Sequence, residues 1–126
     1  MSFTNFLETE ILDHVFAGAA YTAPSTIYLG LFTAAPGETG GGTEVTCGAY
    51  DRKSAAFTTS GNTTSNSAAV EWDTATASWG TVTHVGVFDA ATTGNLMAYA
   101  TLTSSKTIAS GDVFRIPSAD LDITLD

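Results

Sequence analysis

The sequence predicts a mainly β fold: one antiparallel domain of β-sandwich or jelly-roll-like type with a single α-helix at its amino end. Three observations carry this. Thr81–Asp89 (Thr-Val-Thr-His-Val-Gly-Val-Phe-Asp), entered through Trp79-Gly80, is dense in β-branched and aromatic residues and bounded by turn formers. Turn signals recur at about ten-residue spacing, the rhythm of short strands folded back on one another. Thr is the commonest residue and only 13% of residues are charged, a mixture suited to sheet and turn.

A chain of 126 residues fits one domain, with 1–20 as helix and lead-in and 25–126 as the sandwich. It can bury roughly two thirds of its unfolded surface, so folding needs neither metal nor disulfide. The net charge of −9, with only Arg52, Lys53, Lys106 and Arg115 as strong cations, argues against a nucleic-acid partner. No run approaches the length of a membrane span, so no membrane partner is expected. Cys47 is the sole cysteine and cannot bridge internally. The amino end carries no basic region followed by an apolar core, and synthesis in a reducing host cytoplasm is the expectation.

Phe3–Gly18 is the helix candidate. Ser2 or Thr4 can cap its start, Glu8 and Glu10 sit where the helix dipole favours them, and Gly18 can stop it. On a helical wheel Phe3, Phe6, Leu7, Ile11, Leu12, Val15 and Phe16 cover more than half the circumference. The plainer account wedges this helix between its own sheet and a loop. The sharper one sets its second face, Phe3, Leu7, Ile11 and Val15, against another subunit.

Ser25–Thr33 reads as a strand, with Ile27, Leu29 and Leu31 on one face and Tyr28, Gly30 and Phe32 on the other. Ala35–Glu44 reads as a surface loop. Its glycine run lacks the Lys-Ser/Thr pair of a phosphate loop and carries Glu38 and Glu44, so it suits ordering against a neighbour better than phosphate. Arg52 and Lys53, beside Tyr50, pair with carboxylates of this chain or of a partner. Thr58–Ser67 reads as a polar loop, Ala68–Trp72 as a short strand, and Thr81–Asp89 as the central strand. In strict alternation Val82, His84, Gly86 and Phe88 face one way and Val85 and Val87 the other.

Asp89–Asn95 reads as a hairpin turn. Leu96–Leu102 returns beside the central strand, with Leu96, Ala98 and Ala100 sharing a face, and Ser104–Thr107 begins another segment. Val113–Ile116 is a strand stopped by Pro117. In the closing segment Leu121, Ile123 and Leu125 point inward while Asp120, Asp122, Thr124 and Asp126 point out.

No catalytic cluster emerges, and no metal or cofactor is expected. His14, His84 and Cys47 lack ligand spacing, so each histidine reads as a hydrogen-bonded structural residue. The carboxylates of the closing strand are spread along one face instead of wrapped round an ion. Trp72 and Trp79 suit a sugar platform or, more commonly, a core corner. The candidate interface set is Phe3, Leu7, Ile11, Val15, Glu38, Glu44, Tyr50 and Arg52.

Several stretches carry a family resemblance. They are Phe16–Pro24, Ile27–Thr33, Ala35–Val45, Tyr50-Asp51-Arg52, Trp79–Asp89, Gly94-Asn95-Leu96 and Leu121–Asp126. Together they resemble small tailed-phage virion proteins usually labelled tail-fibre-like. Cys47-Gly48-Ala49 departs from that pattern, where a run of glycines is more usual before the tyrosine. The resemblance implies a structural virion protein with no catalytic residues. Capsid decoration (cement) by an oligomer, such as a homotrimer bound to the major capsid protein or other virion proteins, ranks first. A tail-fibre or tail-tip component ranks second, and a host-glycan-binding module or enzyme third. A fibre normally needs a shaft of repeats, and none is visible.

Overall fold

In the computed structural model, residues 1–125 are described; Asp126, expected to point outward, lies outside them. The main antiparallel sheet runs in the order β1 (Ser2–Phe3), β9 (Leu96–Ile108), β8 (Gly80–Phe88), β2 (Ile27–Ala34), β3 (Thr43–Glu44), with β4 (Lys53–Ala55) also pairing with β2. The stretch picked out first in the sequence is its central strand. Two small sheets complete the fold. One pairs β7 (Val70–Glu71) with β10 (Arg115–Ile116), and the other orders β11 (Asp122–Thr124), β6 (Thr63–Asn66) and β5 (Phe57–Ser60). The described residues thus form a mainly β sandwich with a single helix, α1 (Asn5–Phe16).

The principal core lies between these layers. Leu29, Leu31, Val82, Val85, Val87 and Ala98 from the main sheet meet Val70, Trp72, Phe114, Ile116 and Leu121 from the other side. Trp72 packs edge-on to Phe114 at 5.3 Å, and Trp79 edge-on to Tyr50 at 5.5 Å. Both tryptophans are buried, which makes them core residues and removes the sugar-platform reading. A second, smaller cluster of Phe32, Phe88 and Leu96 fills the other face of the main sheet. It sits on two glycines: Gly30 and Gly86 face each other across β2 and β8. A Cβ on Gly30 would lie 2.8 Å from both Glu44 Oε2 and Phe88 Cε2, so only glycine permits this depth of packing.

Strict alternation fails in two places, both at bulges. Val82 pairs with Lys106 and His84 with Thr101, so β9 supplies four residues where β8 supplies one. The slip puts Val82 in the principal core with Val85 and Val87, away from His84, Gly86 and Phe88. A second shift, where Val87 pairs with Ala98 and Phe88 with Leu96, turns Leu96 away from Ala98 and Ala100 into the smaller cluster. β9 is also continuous through Ser104–Thr107, which therefore does not begin a separate segment.

The expected polar loop at Thr58–Ser67 is instead the β5–β6 hairpin. Threonine suits a half-exposed pleat, and side-chain pairs such as Thr59–Thr64 (3.0 Å) and Thr63–Thr124 (3.0 Å) replace apolar contacts across it. At its end Asn66, 1% exposed, is fully satisfied. Its Nδ2 donates to the Ala68 and Pro117 carbonyls, and its Oδ1 accepts the Asp120 and Leu121 N–H groups. The expected strands Ala68–Trp72 and Val113–Ile116 shorten to β7 and β10. In the last segment Leu121 is buried, but Leu125, past the end of β11 at Thr124, is 55% exposed and is held through its backbone, by two hydrogen bonds to Asn62.

The helix starts two residues later than expected, since Ser2 and Phe3 pair with Tyr99 and Ala98 of β9. Thr4 is the capping residue by position, yet its hydroxyl bonds the Leu96 carbonyl (2.6 Å) and not the first helical turn. The helix end behaves as the sequence suggests. Gly18 takes a positive φ, and the Ala17 and Ala19 N–H groups return to the Asp13 carbonyl. No helical residue is fully buried, but the first turn rests on its own chain: Phe6 and Leu7 pack partly on the principal core, and the Asn5 N–H bonds the Glu38 carbonyl of the 35–44 loop.

Candidate assembly interface

The eight residues flagged in the sequence separate into two groups. Glu44 and Arg52 meet beside the smaller cluster, and Tyr50, whose ring packs on the principal core, reaches Glu44 with its hydroxyl. Arg52 makes a two-point contact with Glu44: Nε reaches Oε2 and Nη2 reaches Oε1, both at 2.8 Å. Its Nη1 donates to the Ala90 and Thr93 carbonyls at 3.0 and 2.7 Å. The guanidinium also lies 3.4 Å over the Phe88 ring. Tyr50 donates to Glu44 Oε2 (3.0 Å) and accepts the Leu31 N–H (2.9 Å). The Arg52 and Glu44 side chains are only 10% and 22% exposed.

This is a latch. It ties β3, the segment after Cys47 and the 89–95 turn onto one face of the central sheet. The turn is braced separately by Asp89, whose carboxylate accepts the Asn95 N–H and side-chain amide. Burial pushes the Tyr50 phenol far above its usual range. The Leu31 N–H opposes that shift and the Glu44 carboxylate adds to it. The neighbouring Lys53 pairs with Asp73 at 3.0 Å. Of the two pairings left open by the sequence, Arg52 and Lys53 take the one within their own chain.

Ala49, in the position where the resemblance implies glycine, adopts φ 64, and the preceding Gly48 φ 65. A side chain at Gly48 would meet the Ala77 carbonyl and Trp79 Nε1 at 2.8 Å. Trp79 Nε1 donates to the Gly48 carbonyl at 2.9 Å, so this left-handed turn locks the segment before Tyr50 to the core. Glu38 is exposed but also tied to its own chain: its carboxylate accepts the Tyr99 hydroxyl, and its carbonyl accepts the Asn5 N–H. The 35–44 loop is therefore ordered against its own chain.

The helix, with Phe3 of β1 just before it, differs in kind. Phe3 and Leu7 pack partly on the principal core, and Ile11 is half-buried. Beyond Ile11 the apolar residues face outward: Leu12 is 58% exposed, Val15 60% and Phe16 80%. Leu12 and Phe16 were part of the broad stripe in the sequence but were not singled out as interface; spacing shows that they share Val15's face. Three large apolar side chains at adjacent positions are costly to leave in water unless something covers them.

The chemistry-bearing residues are occupied locally. His84 bonds the Thr83 hydroxyl through Nδ1 (2.8 Å) and the Thr101 hydroxyl through Nε2 (3.2 Å), and His14 Nδ1 bonds the Ala19 carbonyl. Cys47 Sγ contacts the Ser78 carbonyl at 3.4 Å. Among the described residues no three His, Cys, Asp or Glu side chains converge. Among the described residues no helix is long and apolar enough to cross a membrane.

No curated protein matches this chain significantly. Residues 2–124 match the family model described as Podophage GP4 fiber I protein gp80, and the chain belongs to that family of phage structural virion proteins.

Proposed function

We propose that this protein is a non-enzymatic structural component of the phage fibre, held in place by contacts with copies of itself and with neighbouring virion proteins. The family match over residues 2–124, to a fibre protein, carries the reading. It reverses the order that the missing shaft repeats suggest, in which capsid decoration came first. The geometry supports a passive role. The Arg52–Glu44 pair and the Gly30–Gly86 trough hold the loops rigidly, while the helix keeps an apolar face available for a partner. A rigid body with one open face gains stability for an assembly by burying that face, with no need for chemistry.

Decoration of the head is the second reading, favoured by the single sandwich that a surface lattice could carry in many copies. Quantitative mass spectrometry of purified particles, with gold-labelled antibody, tests the proposal. A small number of copies located at fibres is the expected result. Hundreds of copies over the head would transfer the protein to decoration, and absence from particles would overturn both.

A further inference from the structure

The uncovered helix face has a complementary surface elsewhere on the same molecule. A groove of about 760 Å³ opens between the far half of β9 and the segment carrying β10 and the lead into β11. Leu102 and Val113 give it apolar walls, Val113 being 46% exposed. Lys106 and Arg115 also line it, beside Asp120 and Asp122. These two cations are half of the four in the sequence. They are also the two not held tightly: Arg115 approaches Glu71 only at 3.9 Å with both side chains more than half exposed. Among the described residues Lys106 makes no ion pair.

The helix carries the opposite pattern. Glu8, Leu12, Val15 and Phe16 fall within about a third of the helical circumference, and exposed Asp13 borders that stripe. We infer that the helix face of one copy docks in the β9–β10 groove of the next, with Leu12, Val15 and Phe16 against its apolar walls and Glu8 and Asp13 facing Lys106 and Arg115. The alternative occupant, a strand added to the β9 edge, is disfavoured by the edge itself. Beyond Ala98 and Tyr99 no described strand pairs on that side, but the stretch is distorted by the bulge and carries Lys106, both of which oppose strand addition. A helix in a groove needs side chains instead of a regular ladder.

Because the two surfaces differ, the contact is head-to-tail. Each copy offers one helix and one groove, so contacts propagate until they close into a ring or extend as a filament. The inference deepens the structural role by naming the surfaces that meet, and it rests on self-association being part of that role. Particle location is read separately by copy number, so the two can fail independently.

Mixing two variants tests it by sedimentation. Val15→Asp with Phe16→Asp disables the helix, and Lys106→Glu with Arg115→Glu disables the groove. Circular dichroism confirms that each still folds. Wild type at high concentration should run larger than a monomer, and each variant alone should associate at least tenfold more weakly. Mixed, they should form dimers and nothing larger, since only one functional helix and one functional groove remain to meet. A monomeric wild type, a variant that associates like wild type, or a mixture without dimers would each overturn the inference.

Discussion

The latch and the helix are both rich in residues that suggest an interface, and the fold treats them in opposite ways. Arg52 directs four of its five N–H donors to Glu44, Ala90 and Thr93 and lies on Phe88. Leu12, Val15 and Phe16, which have no polar group to satisfy, remain in solvent. The difference teaches that a cation beside carboxylates in an acidic chain is readily consumed by its own fold. Burying one end of an ion pair without the other is expensive, so evolution keeps such pairs whole within one molecule. An apolar helix face carries no such obligation and can wait for a partner.

The comparison can be broken from the latch side first. Arg52→Ala leaves Glu44 mostly buried without its cation and two carbonyls without a donor, and should cost about 3–5 kcal/mol in urea unfolding. Gly30→Ala should cost about 1–3 kcal/mol, because the added methyl strikes Phe88 and Glu44, outweighing the usual gain from replacing a strand glycine. A near-neutral result for both would mean that the latch is ornamental.

Tyr50→Phe keeps the ring and removes the hydroxyl that joins Glu44 to the Leu31 N–H, and should cost about 1–2 kcal/mol. The same group sets an alkaline limit. Its folded pKa lies above the unfolded value, so the folded state holds the proton more tightly. That contribution is complete below about pH 10 and is lost as pH rises from there toward the folded value. Stability measured across this window should fall less steeply in Tyr50→Phe than in wild type. The smallest effect is expected on the helix: Phe16→Asp, at an 80% exposed position, should change the unfolding free energy of the isolated chain by no more than about 0.5 kcal/mol. A large loss there would mean that the face is already covered within the molecule.

Much of this was legible because period-two patterning is a local signal. The central strand, the alternation of Leu29 and Leu31 against Tyr28 and Phe32, and the helix stop at Gly18 were all visible. What escaped depends on partners distant in sequence. The bulges that turn Val82 and Leu96 to new faces are set by pairing with β9 and leave no mark in the β8 composition. The β5–β6 hairpin is built from Thr, Ser and Asn, so it shows no apolar alternation to read. Asn66 and Thr4 are buried, and apart from Ala68 the partners of their side chains lie more than fifty residues away, at 117–121 and 96–97. Within the candidate interface, the sequence flagged Glu44, Tyr50 and Arg52 as separate interface residues without joining them to one another, and it placed the helix face without separating Ile11 from the exposed residues beyond it.

Amide hydrogen exchange, compared between free protein and intact particles, puts the division between the two regions to its most direct test. Residues 12–16 should exchange quickly in the free chain and become protected in the virion, while residues 44–52 should be slow in both. New protection at 44–52 with none at 12–16 would contradict the account, because the polar cluster would then be the surface that meets a partner.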